Sequence, residues 1–306
     1  MRLRLGRPDI GQYADRFAVP PATSASALRV TFLGVATLLI DDGTSAIMTD
    51  GFFSRPSLVD VGLRKLTPHR ERITAALARA GVRKLDAVLP VHSHYDHAQD
   101  SAVVAMLTDA FLVGGESTLN VGRGGGLGED RLRLAHAGES MRIGPYEITH
   151  IASAHCPPDR FPGTIDEPLR PPVKASAYCC GEAWSILITH APSGQRMVIQ
   201  GSAGFEPGAL AGHSADVAYL GVGQLGLRPE AEVRQYWDET VGALNTRRVI
   251  AIHWDDFFRP LDLPLRAVPF AGDDLNRTMR IFDELAARDG VEVLFPTLWQ
   301  AEDPWS

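Results

Sequence analysis

The chain has 306 residues, is 45% hydrophobic and carries a formal net charge of −7. That length buries about three quarters of the unfolded surface, enough for one large core, and the negative charge argues against nucleic acid, whose phosphates are bound by clustered Lys and Arg. Cys156, Cys179 and Cys180 make no disulfide framework, and no apolar run reaches the ~18 residues of a membrane span, so the expectation is a cytoplasmic protein with a small-molecule substrate, alone or as an oligomer.

Residues 1–26, ending in Val19-Pro20-Pro21-Ala22-Thr23-Ser24, show no sustained period and are predicted to form an arm over the surface, with residues 27–306 as a single domain. Strand patterns cover 28–33, 36–40 and 45–49, with a turn at Asp41-Asp42-Gly43, and predict an antiparallel meander. Thr67 as N-cap, Pro68 after it, Ile73, Ala76, Leu77 and Ala80 at helical spacing and Gly81 as a stop predict a helix. A buried strand over 85–91 follows, then a helix over 101–109 with Val103, Met106 and Leu107 inward, and a strand over 111–113. The glycine-dense run 122–128 lacks the Gly-Lys-Ser/Thr ending of a phosphate loop and reads as a flexible turn.

Strand signals resume at 131–134 and 146–151. The Pro-rich stretch 157–177 is too long for a simple connection and reads as a lid or pocket wall. Strands over 184–189, 197–200 and 216–220, a helix over 229–244, a strand over 249–252, a helix over 274–288 and a strand over 291–295 complete an α/β (α+β) alternation.

The chemistry concentrates in Val91-His92-Ser93-His94-Tyr95-Asp96-His97, three imidazoles and a carboxylate at the end of a buried strand. Residues two apart in extended chain point the same way, so His92 and His94 can grip one ion, and the turn after them offers Asp96 and His97 to a neighbouring ion. His155 and His253 stand just beyond strand ends, where ligands concentrate, whereas His150 lies inside its strand, where a satisfied or solvent-facing His is the commoner outcome. Asp50 and Asp86 can orient imidazoles by accepting their second N–H, or cap turns. Asp255 and Asp256 read either as supplementary carboxylates or as a solvated pair, and His69, His136, His190 and His213 have no clustered partners.

The run His92 to His97, followed in order by His155 and His253, resembles the metallo-β-lactamase superfamily over most of the chain. Thr31-Phe32-Leu33-Gly34-Val35-Ala36-Thr37 and Met48-Thr49-Asp50-Gly51-Phe52-Phe53-Ser54 are similar to the N-terminal signature of the branch containing L-ascorbate-6-phosphate lactonase and N-acyl-phosphatidylethanolamine phospholipase D, although Val35 stands where that branch usually has His. The resemblance implies a four-layer αββα sandwich with His92, His94 and His155 on a first metal and Asp96, His97 and His253 on a second. Many relatives place an Asp between the metals; here Gln200-Gly201-Ser202-Ala203-Gly204 puts Ser202 there, so the site holds one ion or two, with two favoured because each set keeps three ligands. The implied activity is hydrolysis, in which metal-activated hydroxide attacks the carbonyl of a lactone, amide or ester while Asp96 holds the second ion and orients the nucleophile. Zinc is the expected ion, with manganese or iron as alternatives. A small-molecule phosphodiesterase of the same fold and a non-catalytic metal-binding scaffold are the competing expectations.

Overall fold

Alternation of side chains across strands decides the layers of this molecule. The computed structural model describes residues 4–306. In chain order its strands are β1 (Arg29–Phe32), β2 (Leu38–Asp41), β3 (Ala46–Thr49), β4 (Lys65–Leu66), β5 (Ala87–Leu89), β6 (Phe111–Gly114), β7 (Leu132–Leu134), β8 (Ser140–Ile143), β9 (Tyr146–Ser153) and β10 (Val173–Lys174). They continue as β11 (Ala183–His190), β12 (Arg196–Gln200), β13 (Val217–Gly221), β14 (Arg248–Ile252), β15 (Glu292–Leu294) and β16 (Ala301–Glu302). Among the described residues they form two seven-stranded sheets, ordered β16-β1-β2-β3-β5-β6-β7 and β15-β14-β13-β12-β11-β9-β8, and a short β10-β4 pair. Each large sheet is antiparallel in one part and parallel in the other: β1 to β3 form the meander and β3, β5, β6 and β7 run parallel, while β12 to β15 run parallel in the second sheet.

The two sheets pack face to face. Val30, Phe32, Leu38, Ile40, Ile47 and Leu89 of the first sheet share one apolar cluster with Ile186, Ile188, Ile199, Tyr219, Ile250 and Ile252 of the second. The intervening residues point outward: Leu39, Met48 and Val88 meet helices α2 (Arg70–Arg79), α4 (Ser101–Thr108) and α5 (Glu116–Gly124), numbered with α1 (Leu58–Leu63) and α3 (Tyr95–Ala98). On the other side Val198, Ala218, Leu220, Val249 and Ala251 meet α6 (Glu230–Trp237) and α7 (Leu275–Asp289). Strands buried on both faces read as continuous hydrophobic runs, and each fully buried Ile, Leu or Phe contributes roughly 1.5–3 kcal/mol. The result is the αββα sandwich, in which strand ends from both sheets meet at one edge. No helix among the described residues is long and apolar enough to cross a membrane.

Several local expectations are corrected. His69, not Thr67, caps α2, accepting from Arg72 N–H through its ring nitrogen. In α4 the buried residues are Ser101, Ala102, Val104, Ala105 and Thr108, Val103 and Leu107 are half-buried against the same cluster, and Met106 is exposed; small residues let this helix lie close to β5 and β6. The glycine run is no simple flexible turn, because α5 extends through Gly124 and its glycines permit close packing. The 229–244 helix passes into a π-helical segment at Asp238–Gly242. Residues 10–16 form a 3-10 helix whose Ile10 and Tyr13 pack on the α7 side of the core.

A Cβ on Gly124 would lie 1.8 Å from the carbonyl oxygen of Leu169, in the Pro-rich segment. Gly124→Ala is therefore expected to destabilise the fold by about 1–3 kcal/mol, the usual cost of overpacking. Urea denaturation measures it, and an unchanged midpoint would show that the segment yields freely.

Candidate metal centre

The backbone presents the histidine cluster through fixed contacts. Beyond β5, Val91 N–H donates to Asp50 Oδ1 at 2.9 Å, and Ser93 N–H donates to Cys180 O at 2.9 Å. His94 then starts α3, one helical turn that carries Asp96 and His97, so the expected turn is helical. Every side chain from His92 to His97 is buried.

His92, His94 and His155 each offer a ligand atom within 4.8 Å of the others, and so do Asp96, His97 and His253. The groups abut, since the His92 and His97 ring centroids are 4.0 Å apart. In the first group His92 Nε2 faces His94 Nδ1 at 3.0 Å. In the second, Asp96 Oδ2 lies 3.5 Å from His253 Nε2 and 3.7 Å from His97 Nε2. Two of the outer ring nitrogens have protein partners: His155 Nδ1–H donates to Cys156 O at 2.7 Å, and His97 Nδ1–H donates to Asp50 Oδ2 at 2.7 Å, whereas His253 Nδ1 is buried with none among the described residues. His97 Nε2 is buried with no hydrogen-bond partner among the described residues. An unpartnered imidazole nitrogen beside a buried carboxylate, with its ring held from behind, fits a metal ligand set.

The electrostatics agree. Burial, then the neighbouring His97 and His94, pushes the His92 pKa well below its ordinary value, while burial and His94 lower His155 to about 4. Burial likewise lowers His94. These three rings stay neutral with lone pairs to give. Burial opposes the charged form of His97, but Asp50 and Asp96 outweigh it and raise its pKa. For Asp96 burial acts upward, yet His97, His253 and His94 prevail and hold the carboxyl well below the usual range.

His253 comes from the second sheet, directly after β14, with φ +58. Its N–H donates to Val35 O at 2.8 Å, and Val35 N–H donates to Asp255 Oδ1 at 2.9 Å. Asp255 also pairs with Arg55, both side chains fully buried. Val35, Asp50 and Arg55 share the left-handed backbone of His253, with φ of +55, +53 and +42; such conformations cost about 1–3 kcal/mol each and gather at functional sites.

The other expected residues divide. Ser202 lines a cavity over the centre, and its hydroxyl accepts from Cys156 N–H at 2.9 Å, tying the turn to the segment that carries His155. Asp255 does not replace the missing carboxylate, since Arg55 and Val35 occupy its oxygens; Asp256 pairs with Arg7 and Arg266. Asp86 does not support an imidazole either, because it precedes β5, whereas His92 follows that strand, and it accepts from the Ser45 hydroxyl. His150 lies inside β9 against Trp184, away from both groups. Sequence reasoning missed Asp159 and Arg55; both stand in irregular segments, and neither belongs to a motif.

A cavity of about 1270 Å³ opens over the centre. His94, Asp96, His155 and His253 line it together with Phe161, Phe257 and Phe258, and Arg160 and Lys174 line its wall.

No family model matches the chain. Solved structures of similar fold include a protein from Parabacteroides distasonis assigned as a metal-dependent hydrolase, with 14% identity, a TM-score of 0.55 and coverage of 92% of this chain and 99% of that one. The metallo-β-lactamase fold protein YhfI from Bacillus subtilis has 14% identity, a TM-score of 0.52 and coverage of 90% and 98%. CmlA, a diiron β-hydroxylase from Streptomyces venezuelae, has 12% identity, a TM-score of 0.53 and coverage of 92% of this chain and 55% of that one. The architecture of this chain is thus the metallo-β-lactamase fold.

His150 supplies a test that separates it from the centre. Burial lowers its pKa from 6.5 to about 4. Below pH ~6.5 the unfolded chain takes up a proton that the folded chain refuses, so this residue's share of stability is complete above that pH and is lost as pH falls toward ~4. His150→Phe is expected to reduce the slope of unfolding free energy across that window and to leave bound metal unchanged. Denaturant titrations at several pH values, with metal analysis, read both; loss of metal would place His150 in the centre.

Proposed function

We propose that this chain is a metal-dependent hydrolase acting on the carbonyl of a small lactone, amide or ester. One observation carries the reading: two abutting donor groups, His92, His94 and His155 beside Asp96, His97 and His253, lie at one large cavity. Each group retains three donors, and for that reason we favour two ions over one although Ser202 occupies the place of a bridging Asp. Zinc suits imidazole-rich sites, and when bound it acidifies water toward a pKa of ~7 and polarises the substrate oxygen. Iron is the second reading, favoured by the diiron CmlA of similar fold.

The protein's own groups do the rest. Asp96 stays ionised at neutral pH and would hold the second ion and orient a water for attack. Asp50 keeps His97 turned so that Nε2 faces the centre. Phe161, Phe257 and Phe258 shield the reacting atoms from bulk water, and Arg160 and Lys174 accommodate an anionic group on the substrate. We place the chain in the branch resembling L-ascorbate-6-phosphate lactonase and N-acyl-phosphatidylethanolamine phospholipase D. Two residues of that signature support this: Asp50 bonds His97, and Ser54 donates to the buried Asp100 at 2.6 Å.

Metal analysis of the purified protein and of His92→Ala and His253→Ala is expected to show loss of bound metal in each variant. Unchanged content in both sinks the ligand assignment. With lactones, esters, amides and small phosphodiesters as substrates, turnover of a carbonyl compound is expected to stop with chelator and return with metal. Turnover confined to phosphodiesters selects the phosphodiesterase, and silence across the panel selects the scaffold.

A further inference from the structure

We infer that Asp159, in the Pro-rich segment that walls the cavity, is a positioning residue that fixes which nitrogen of His94 faces the metal; this rests on the ligand set proposed above. Asp159 Oδ1 lies 3.2 Å from His94 Nε2 and accepts from Phe161 N–H at 2.9 Å. The bond from Phe161 N–H folds the segment so that Phe161 O also lies 3.2 Å from His94 Nε2. His94 Nε2–H therefore donates to the Phe161 carbonyl, with the Asp159 carboxylate beside it as a charge contact, both held by one short turn.

A neutral imidazole carries a single proton, and the partner of one nitrogen decides where it resides. The carbonyl acceptor and the adjacent carboxylate charge keep the proton at Nε2 and leave the Nδ1 lone pair free, 3.0 Å from His92 Nε2, where the first donor group converges. His92 and His155 have no such contact with this segment; His155 is oriented by its neighbour's carbonyl instead. Phe161 and Arg160, on either side of the turn's last bond, line the cavity, so the same turn that shapes the substrate wall also orients a ligand.

His94, Asp159 and Cys180 also place donor atoms within 4.8 Å of one another, which makes them a rival metal group. The two uses of His94 exclude each other. While Nδ1 serves the first group, Nε2 keeps its proton, and Asp159 can face that N–H as a charge but cannot share an ion with Nε2.

The experiment uses the full chain with zinc. Its readouts are zinc affinity by chelator competition, zinc stoichiometry, and the His94 tautomer by ¹⁵N–¹H correlation with and without zinc. The Nε2–H tautomer is expected in the unsubstituted protein, and an Nδ1–H tautomer there overturns the inference without recourse to any variant. Asp159→Ala is expected to weaken zinc binding about 10–100-fold, the usual effect of removing a ligand's supporting partner, and to release the tautomer. Asp159→Asn, whose amide oxygen still accepts, is expected to restore most of both. Wild-type affinity and tautomer in Asp159→Ala, or loss of one zinc equivalent in Cys180→Ser, overturns the inference, the latter in favour of the rival group. His92→Ala separates the two levels: zinc retained there refutes the ligand set, whereas zinc lost there but unaffected in Asp159→Ala refutes only the role of Asp159.

Discussion

A buried ion pair fastens the two sheets at the edge where the candidate centre lies. Arg55 follows the first sheet's meander and Asp255 follows β14 of the second, and neither side chain reaches solvent. Removing one partner of such a pair typically costs about 3–5 kcal/mol, because the other charge stays buried. That is a large part of the 5–15 kcal/mol by which folded domains exceed unfolded ones. Beside the pair run the two backbone-linked bonds through Val35, one to Asp255 and one from His253. The position of His253 relative to Asp96 is thus set by a short chain of buried contacts between the sheets, with the strained backbone of Val35 and His253 held in place by them.

The centre is oriented from several directions. Asp50 from the end of the meander turns His97, the Cys156 carbonyl turns His155, and the Pro-rich segment turns His94. Asp50 follows the first sheet's meander, whereas Cys156 and Phe161 belong to one stretch after β9 of the second sheet, so the orientation of the rings depends on both sheets having formed. Burial then keeps the His92, His94 and His155 rings neutral before any ligand arrives. Such preorganisation removes the cost of turning or deprotonating them at the moment of binding.

Much of this was legible in the residues. The long central strands announce themselves because residues such as Ile250 and Val249 are apolar toward both faces, and His92 to His97 is too dense a cluster to serve packing alone. Placement beyond a strand end separated His155 from His150, and the structure brings only His155 to His92 and His94. What stayed hidden depends on partners distant in sequence. The inward face of α4 follows from small residues that permit close approach, whereas a reading by hydrophobicity chooses Met106. Gly124 is explained by Leu169 and Gly122 by Leu112 and Leu132, and Asp86 looked suited to a ligand because its strand's direction was not used to separate its two ends. Arg55 and Asp159 carry no local pattern, and only their contacts give them a role.

The pairing of β16 with β1 has a consequence for how the chain reaches its native state. Val30 meets Glu302 and Thr31 meets Ala301, a contact between segments at opposite ends of the described chain. Contacts of such high order form slowly, because a long stretch must be ordered before they give any return. Until Ala301–Glu302 docks, β1 has an open row of backbone donors and acceptors on its outer side, the kind of edge to which other strands add. A chain that had built the meander without recruiting β16 would leave this edge open to its own copies, and Ala301–Glu302, with the bridge of Leu298 to Phe32, closes that route.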